Sequence, residues 1–197
     1  MVRWEPDAYG RLRDAALALF AEQGFEKTTV AQIAERAGLN RRTFFHHFAD
    51  KREVVFAGQG EAYELIAAEI RAQPRSADPL HAAAAGLRAA SGTFFEQHRE
   101  DAVKLGRVIA ASPELQEREL VKRAFLAAAI AAALRDRATT DAAADVAAWS
   151  AVAAFYVARN RWNQAGNRQS LAELIDETLA EFLDATARSL PRSDPLI

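Results

Sequence analysis

The sequence predicts an all-α protein, and three observations carry that reading. Alanine supplies nearly a quarter of the 197 residues, glycine (9) and proline (6) are sparse, and apolar residues recur at a helical period rather than a two-residue one. Alanine loses no side-chain entropy in a helix, whereas a sheet needs β-branched and aromatic residues alternating with polar ones.

The elements follow in order. A first helix carries Leu12, Ala16, Leu19 and Phe20 on one face and stops near Gly24-Phe25. A short helix from Thr29 to Ala37 presents Val30, Ile33, Ala34 and Ala37, breaks at Gly38-Leu39-Asn40, and gives way to another beginning Arg41-Arg42-Thr43-Phe44-Phe45. Next comes a helix from Asp50 to about Ala72 with Val54, Val55, Ala62, Leu65, Ile66 and Ile70 inward, and with Gly58 and Gly60 as soft points. Starts are marked by side chains that accept hydrogen bonds from unpaired backbone N–H groups: Thr29-x-x-Gln32, Asp50-x-x-Glu53 and Ser170-x-x-Glu173 read as capping boxes or close variants. Asp78-Pro79 and Ser112-Pro113 place proline where its missing N–H costs nothing. Gln73 to Ser76, Thr139-Thr140 and Gly166-Asn167 read as loops, and about eight or nine helices result. The clearest late stripes are Val146, Trp149, Val152 or Ala153, Tyr156 and Val157, then Leu171, Leu174, Ile175, Thr178, Leu179, Phe182 and Leu183.

Composition excludes several classes. The longest unbroken apolar run is the eleven residues Ala124 to Leu134, short of a membrane span, and the first residues lack the pattern of an export signal. A cytoplasmic protein with no membrane partner is expected. The 25 basic and 27 acidic residues nearly cancel, so any contact with a polyanion has to come from a local patch. There is no cysteine, the histidines at 46, 47, 81 and 98 lack metal-ligand spacing, and no glycine-rich phosphate loop precedes a helix. Catalysis, a metal and a cofactor are therefore not expected.

The informative segment is Leu12 to Lys51. Two helices this short, joined by a tight glycine turn, have helix-turn-helix spacing and need a third helix to hold them. Ile33, Leu39, Phe44 and Phe48 lock such a platform. Thr28, Thr29, Asn40, Arg41, Arg42, Thr43, His46 and Lys51 are left outside it, a donor-rich surface with no acid before Asp50. Arginine and lysine neutralise phosphates, hydroxyls fix register, and an arginine can read a guanine edge in the major groove. A solvated charged face that binds nothing, or a helical protein-interaction module, has the same composition.

Thr28-Thr29, Ala37-Gly38 and the run Thr43-Phe44-Phe45-His46-His47-Phe48-Ala49-Asp50-Lys51 settle the choice by resemblance. Residues 8–56 resemble the DNA-binding domain of the TetR family of bacterial transcriptional regulators. The resemblance implies a helix-turn-helix domain over 1–52 and, over 53–197, a C-terminal helical bundle for ligand binding and dimerisation. It implies that Thr28 or Thr29, Thr43 and Lys51 hold phosphates, that Asn40, Arg41, Arg42 and Phe44 face bases, and that His47 and Phe48 pack the platform. Many relatives carry tyrosine where this chain has Phe45. Either His46 supplies the missing donor or Phe45 makes an apolar contact.

The function implied is a ligand-responsive regulator, most often a repressor, that binds a palindromic operator as a homodimer. Beyond Phe56 the resemblance is one of helix pattern. It assigns the two late stripes to a four-helix dimer interface through Val146, Trp149, Ala153, Leu171, Leu174, Ile175, Leu179 and Phe182. It assigns a small-molecule effector to the middle helices, where Phe94, Phe95, His98, Trp149, Phe155, Tyr156, Arg159 and Trp162 combine large apolar surfaces with a few polar tips. The helix from Asp50 to Ala72 is then the lever between effector and DNA.

Overall fold

The computed structural model describes residues 7–189. In order, its helices are α1 (Ala8–Gln23), α2 (Val30–Arg36), α3 (Arg41–His47), α4 (Lys51–Val55), α5 (Gln59–Ala72), α6 (Pro79–Phe94), α7 (Arg99–Ala111), α8 (Pro113–Arg135), α9 (Asp141–Trp162) and α10 (Leu171–Ser189), with one 3-10 turn at Glu96–His98 before α7. No strand occurs among the described residues.

The expected caps form. Thr29 accepts from the Gln32 N–H at 3.2 Å while Gln32 accepts from the Thr29 N–H at 2.9 Å, and Ser170 and Glu173 exchange the same pair of bonds. Asp78 accepts from Leu80 and His81, with Pro79 opening α6. Asp50 caps α4 by accepting from Arg52 and Glu53, but Glu53 does not return the bond; its carboxylate reaches α8 instead.

One expected helix is two. The chain leaves helical geometry after Val55, and Gly58 adopts φ 82°, so the continuous lever from Asp50 to Ala72 is interrupted between α4 and α5. With the short α4 separate, ten α-helices stand among the described residues where about eight or nine are expected.

Packing groups the chain into two compact units, one running to Glu61 and taking in His98–Lys122, the other made of Ala62–Gln97 and the chain from Arg123 onward. The first unit is built on one cluster: Leu12, Ala16, Leu19 and Phe20 of α1, Ile33 of α2, Phe44 and Phe48 around α3, and Val54 to Phe56, closed by Val108, Ile109 and Leu115. The last three lie far downstream in sequence, so α7 and the start of α8 are part of the core that holds the short helices in place.

The second unit packs α6, α9 and α10 against one another. Ala144, Ala148, Ala151 and Ala158 are fully buried on one side of α9, small enough to let neighbouring helices come near. A Cβ at Gly86 would lie 2.7 Å from the Ile66 carbonyl oxygen, so α5 and α6 approach each other as closely as a glycine permits. By length and composition α9 is long and apolar enough to cross a membrane, although Asp145 and Ser150 break its apolar run. Half of its most apolar window is buried inside the protein.

Candidate nucleic-acid interface

The turn between α2 and α3 is fixed from three directions. Gly38 takes φ 67°, the Leu39 N–H reaches back to the Ala34 carbonyl at 2.8 Å, and the Arg11 guanidinium donates to the Ala37 carbonyl. This is a left-handed helix stop, and it satisfies carbonyls that α2 would otherwise leave open. Asn40 then caps α3 by accepting from the Thr43 N–H at 2.9 Å and the Thr43 hydroxyl at 3.2 Å.

With its entry fixed, α3 has one buried side and one open side. Phe44 is fully buried and its ring lies 5.5 Å from that of Phe48, which in turn stacks on Tyr9 at 5.0 Å. The expectation that Phe44 faces bases is thus corrected, because the residue is the apolar wedge of the platform. Arg41, Arg42, Phe45 and His46 are exposed, Phe45 by half of its surface. Among the described residues neither Arg41 nor Arg42 has an ion-pair partner, so two guanidiniums stand beside an exposed phenyl ring and an imidazole on one edge of α3.

Thr28 is also not where the sequence suggests. It is 1% exposed, its hydroxyl donates to the Gly24 carbonyl at 2.8 Å and accepts from Gln23 at 3.2 Å, and it therefore shapes the loop into α2 and offers no donor outward. Thr29 remains exposed at the N-terminus of α2. Lys51 is half-buried: its ammonium donates to the Phe25 carbonyl at 2.9 Å and the Thr28 carbonyl at 3.3 Å and sits 4.0 Å from the centre of the Phe25 ring. An ammonium has three donors, so one is left. Next to it, Asp50 is committed to Arg52, whose hydrogen bond holds the Asp50 carboxyl below its ordinary range despite partial burial. The surface is therefore one of donors and cations whose nearest acid is already neutralised.

Behind this surface, Glu53 of α4 takes Arg118 at 2.6 Å and Lys122 at 3.1 Å from α8. Burial pushes the Glu53 carboxyl up, but the hydrogen bonds and charges of Lys122 and Arg118 outweigh it and hold the group below its usual value. Neither this triad nor Arg11 is visible as a functional feature in the sequence, because Glu53 lies on a different helix from Arg118 and Lys122, and Arg11 on a different helix from the turn it holds. Among the described residues no group of three His, Cys, Asp or Glu side chains is placed to hold a metal ion.

In the second unit the expected effector residues separate. Phe95 meets Phe155 and Trp162 edge-on at 5.7 and 6.4 Å, Phe155 meets Tyr156 at 5.4 Å, and the Arg159 and Arg123 guanidiniums lie 4.6 and 3.8 Å from the Tyr156 ring centre. The Trp162 indole donates to Glu96 at 3.0 Å. Burial pushes the neighbouring Tyr63 hydroxyl up to about 12, with Tyr156 adding to the shift. Phe94 is half-buried at the end of α6, whereas His98 belongs to the first unit, where it precedes α7 as an exposed helix-terminal residue. Trp149 is not in the cluster. It opens on a groove of about 520 Å3 lined by Ala153, Val157, Thr178 and Phe182.

The expected dimer residues divide as well. Val146, Trp149, Val157, Phe182 and Leu183 are large apolar side chains left exposed, Val146 by 67% and Trp149 by 53%, and Ala153 lies among them. Leu171, Leu174, Ile175 and Leu179 are buried in their own subunit, where α10 packs on α6 and α9. Their assignment to an intersubunit face is corrected for that reason.

Comparison with known proteins bears on both units. The pattern described as "Bacterial regulatory proteins, tetR family" matches residues 12–57. The transcriptional regulator TcmR of Streptomyces glaucescens is 43% identical over 77 residues, which is 39% of this chain but only 34% of that protein, so the chain matches about a third of TcmR. The transcriptional regulator MftR of Mycobacterium tuberculosis is 30% identical over 157 residues, 77% of each chain. Among solved structures, Thermus thermophilus FadR, a TetR-family transcriptional repressor in complex with lauroyl-CoA, superposes with a TM-score of 0.60 at 20% identity over 96% of this chain and 98% of that one. The relatives are named as transcriptional regulators, not as enzymes.

Proposed function

The chain belongs to the TetR family of bacterial regulatory proteins, and from that premise we propose that it is a transcriptional repressor, a homodimer that holds a palindromic operator and leaves it when a small apolar effector binds. The observation that carries the reading is the open edge of α3: Arg41 and Arg42 without carboxylate partners among the described residues, beside Phe45 and His46, on a platform locked by Phe44 and the Gly38 turn. Arg41 and Arg42 serve direct base or phosphate contacts in the major groove, Thr29, Thr43 and Lys51 hold phosphates, and Asn40 acts chiefly as the cap that aims α3. On this reading residues 1–52 read DNA, residues 53–197 provide effector binding and dimerisation, and the protein works in the cytoplasm.

The dimer uses Val146, Trp149, Ala153, Val157, Phe182 and Leu183, since an exposed apolar stripe on two adjacent helices is what a twofold helical interface buries. The effector site is the cluster of Phe95, Phe155, Tyr156, Arg159 and Trp162, and a fold in which a lauroyl-CoA complex has been seen supports a ligand with an apolar acyl part. Effector and DNA must weaken each other equally.

Selection of bound sequences from a random duplex pool tests the reading. The expected product is a twofold-symmetric site whose half-sites lie about one helical turn apart. The triple change of Arg41, Arg42 and Lys51 to alanine should abolish binding in a folded protein; retention of binding would overturn the proposal. Trp149→Glu should give a monomer by light scattering, and a wild-type monomer at micromolar concentration would refute the interface.

A further inference from the structure

We infer that the first unit holds a small-molecule site of its own, a cavity of about 420 Å3 formed by the last turn of α1, the loop that follows it and the C-terminal half of α7, and that its ligand is an amphipathic anion. This goes beyond the effector reading and does not depend on it, because that cluster lies in the second unit.

The argument is one of complementarity. Ala21 and Ala111 line the cavity as exposed methyl groups, and Phe20, Phe25 and Val108 form the buried floor beneath them. Lys27, Lys104 and Arg107 stand at the same cavity as exposed cations. Among the described residues Lys27 and Arg107 have no ion-pair partner, and Lys104 has only a long contact of 3.7 Å to Asp101 one helical turn before it. The single carboxylate in the lining, Glu26, accepts from the Ser112 hydroxyl at 3.0 Å, which fastens the loop to the end of α7. An uncharged apolar ligand leaves the three cations unanswered, and a small inorganic anion leaves the exposed methyl groups of Ala21 and Ala111 in water. A hydrocarbon body ending in a carboxylate satisfies both, and the volume falls in the range of small-molecule pockets.

The position gives the site a consequence. Phe25 both lines the cavity and carries the Lys51 ammonium over its ring, and the carbonyls of Phe25 and Thr28 hold that ammonium. A ligand that fixes this loop also fixes Lys51.

Because the chain contains no cysteine, a single reporter can be placed at will. Ala111→Cys lines the cavity from an exposed position and carries a trifluoroacetonyl group for 19F NMR, while Ala72→Cys at the end of α5 serves as a distant reporter. Sodium decanoate is expected to shift the 111 resonance saturably and leave the 72 resonance in place. The double charge reversal Lys104→Glu with Arg107→Glu should raise the apparent Kd roughly tenfold or more, and decanol should bind far more weakly than decanoate. Lys27→Glu, on a different element, gives the same test if the double variant fails to fold. Absence of a saturable shift, equal affinity in the charge-reversed proteins, or equal binding of decanol would overturn the inference. So would a 111 resonance that moves with protein concentration alone, since a second copy would then be the occupant.

Discussion

Replacing Gly38 with alanine tests the turn on which the geometry of α3 depends. Two costs can be worked separately. The residue sits at φ 67°, where a Cβ brings a penalty of about 1–2 kcal/mol. That Cβ would also lie 2.7 Å from the Arg11 Nη2, the far end of a flexible side chain, so the guanidinium yields and the Ala37 carbonyl loses its charged donor. Losing such a bond costs about 1.5–3 kcal/mol, and the half-exposed arginine recovers part of it through water. Together the substitution should destabilise the first unit by about 2–4 kcal/mol. The assay is urea unfolding followed by circular dichroism on the parent, Gly38→Ala, Arg11→Ala and the double variant. Because the alanine already displaces Arg11, the double variant should be destabilised by less than the sum of the two single changes, the shortfall being the Arg11 bond counted twice. Strict additivity would show that the new methyl never reaches Arg11, and a loss below about 0.5 kcal/mol for Gly38→Ala would remove the left-handed turn as the reason for glycine.

Glu53→Gln should cost about 1–2 kcal/mol at neutral pH by breaking the bonds to Arg118 and Lys122. The Glu53 pKa is lowered by folding, so its contribution is full above the unfolded value of 4.5 and disappears as pH falls through the folded value. The gap between parent and variant in urea melts should therefore close in acid, and a gap that persists unchanged there would contradict the triad. Gly58→Ala should destabilise by about 1 kcal/mol, because φ is 82° although nothing crowds the site; a higher melting temperature would mean that α4 and α5 can fuse. Arg42→Ala should lower the slope of log affinity against log salt by about one contact. Phe45→Tyr should tighten operator binding without altering the selected sequence, and unchanged or weaker affinity in a titration at fixed salt counts against a missing phosphate contact at that position.

Local signals were legible in the sequence because their physics is local. Thr29, Asp78 and Ser170 mark helix starts through bonds that span two or three residues, and the structure closes each of them. The faces of helices were harder. An apolar stripe identifies a buried side without saying what buries it, so Leu171, Leu174, Ile175 and Leu179 look like Phe182 and Leu183 until the former group is found buried in a unit where α10 packs on α6 and α9 and the latter pair exposed. Thr28 and Phe44 share a motif with residues on the open surface, yet a carbonyl at Gly24 and an aromatic neighbour at Phe48 turn them inward. The role of α7 in closing the first core is invisible for another reason. Val108 and Ile109 join the core of α1 from about ninety residues downstream, a pairing that no periodicity encodes.

The tethering of Lys51 has a consequence for any encounter with a polyanion. A lysine waving in solvent arrives surrounded by water and loosely held ions, and sheds them on contact. Here two peptide oxygens and a ring already stand in for most of that shell. Its approach to a phosphate accordingly uses the one N–H that the two carbonyls leave, and makes Lys51 a fixed stop that sets how near the loop can come.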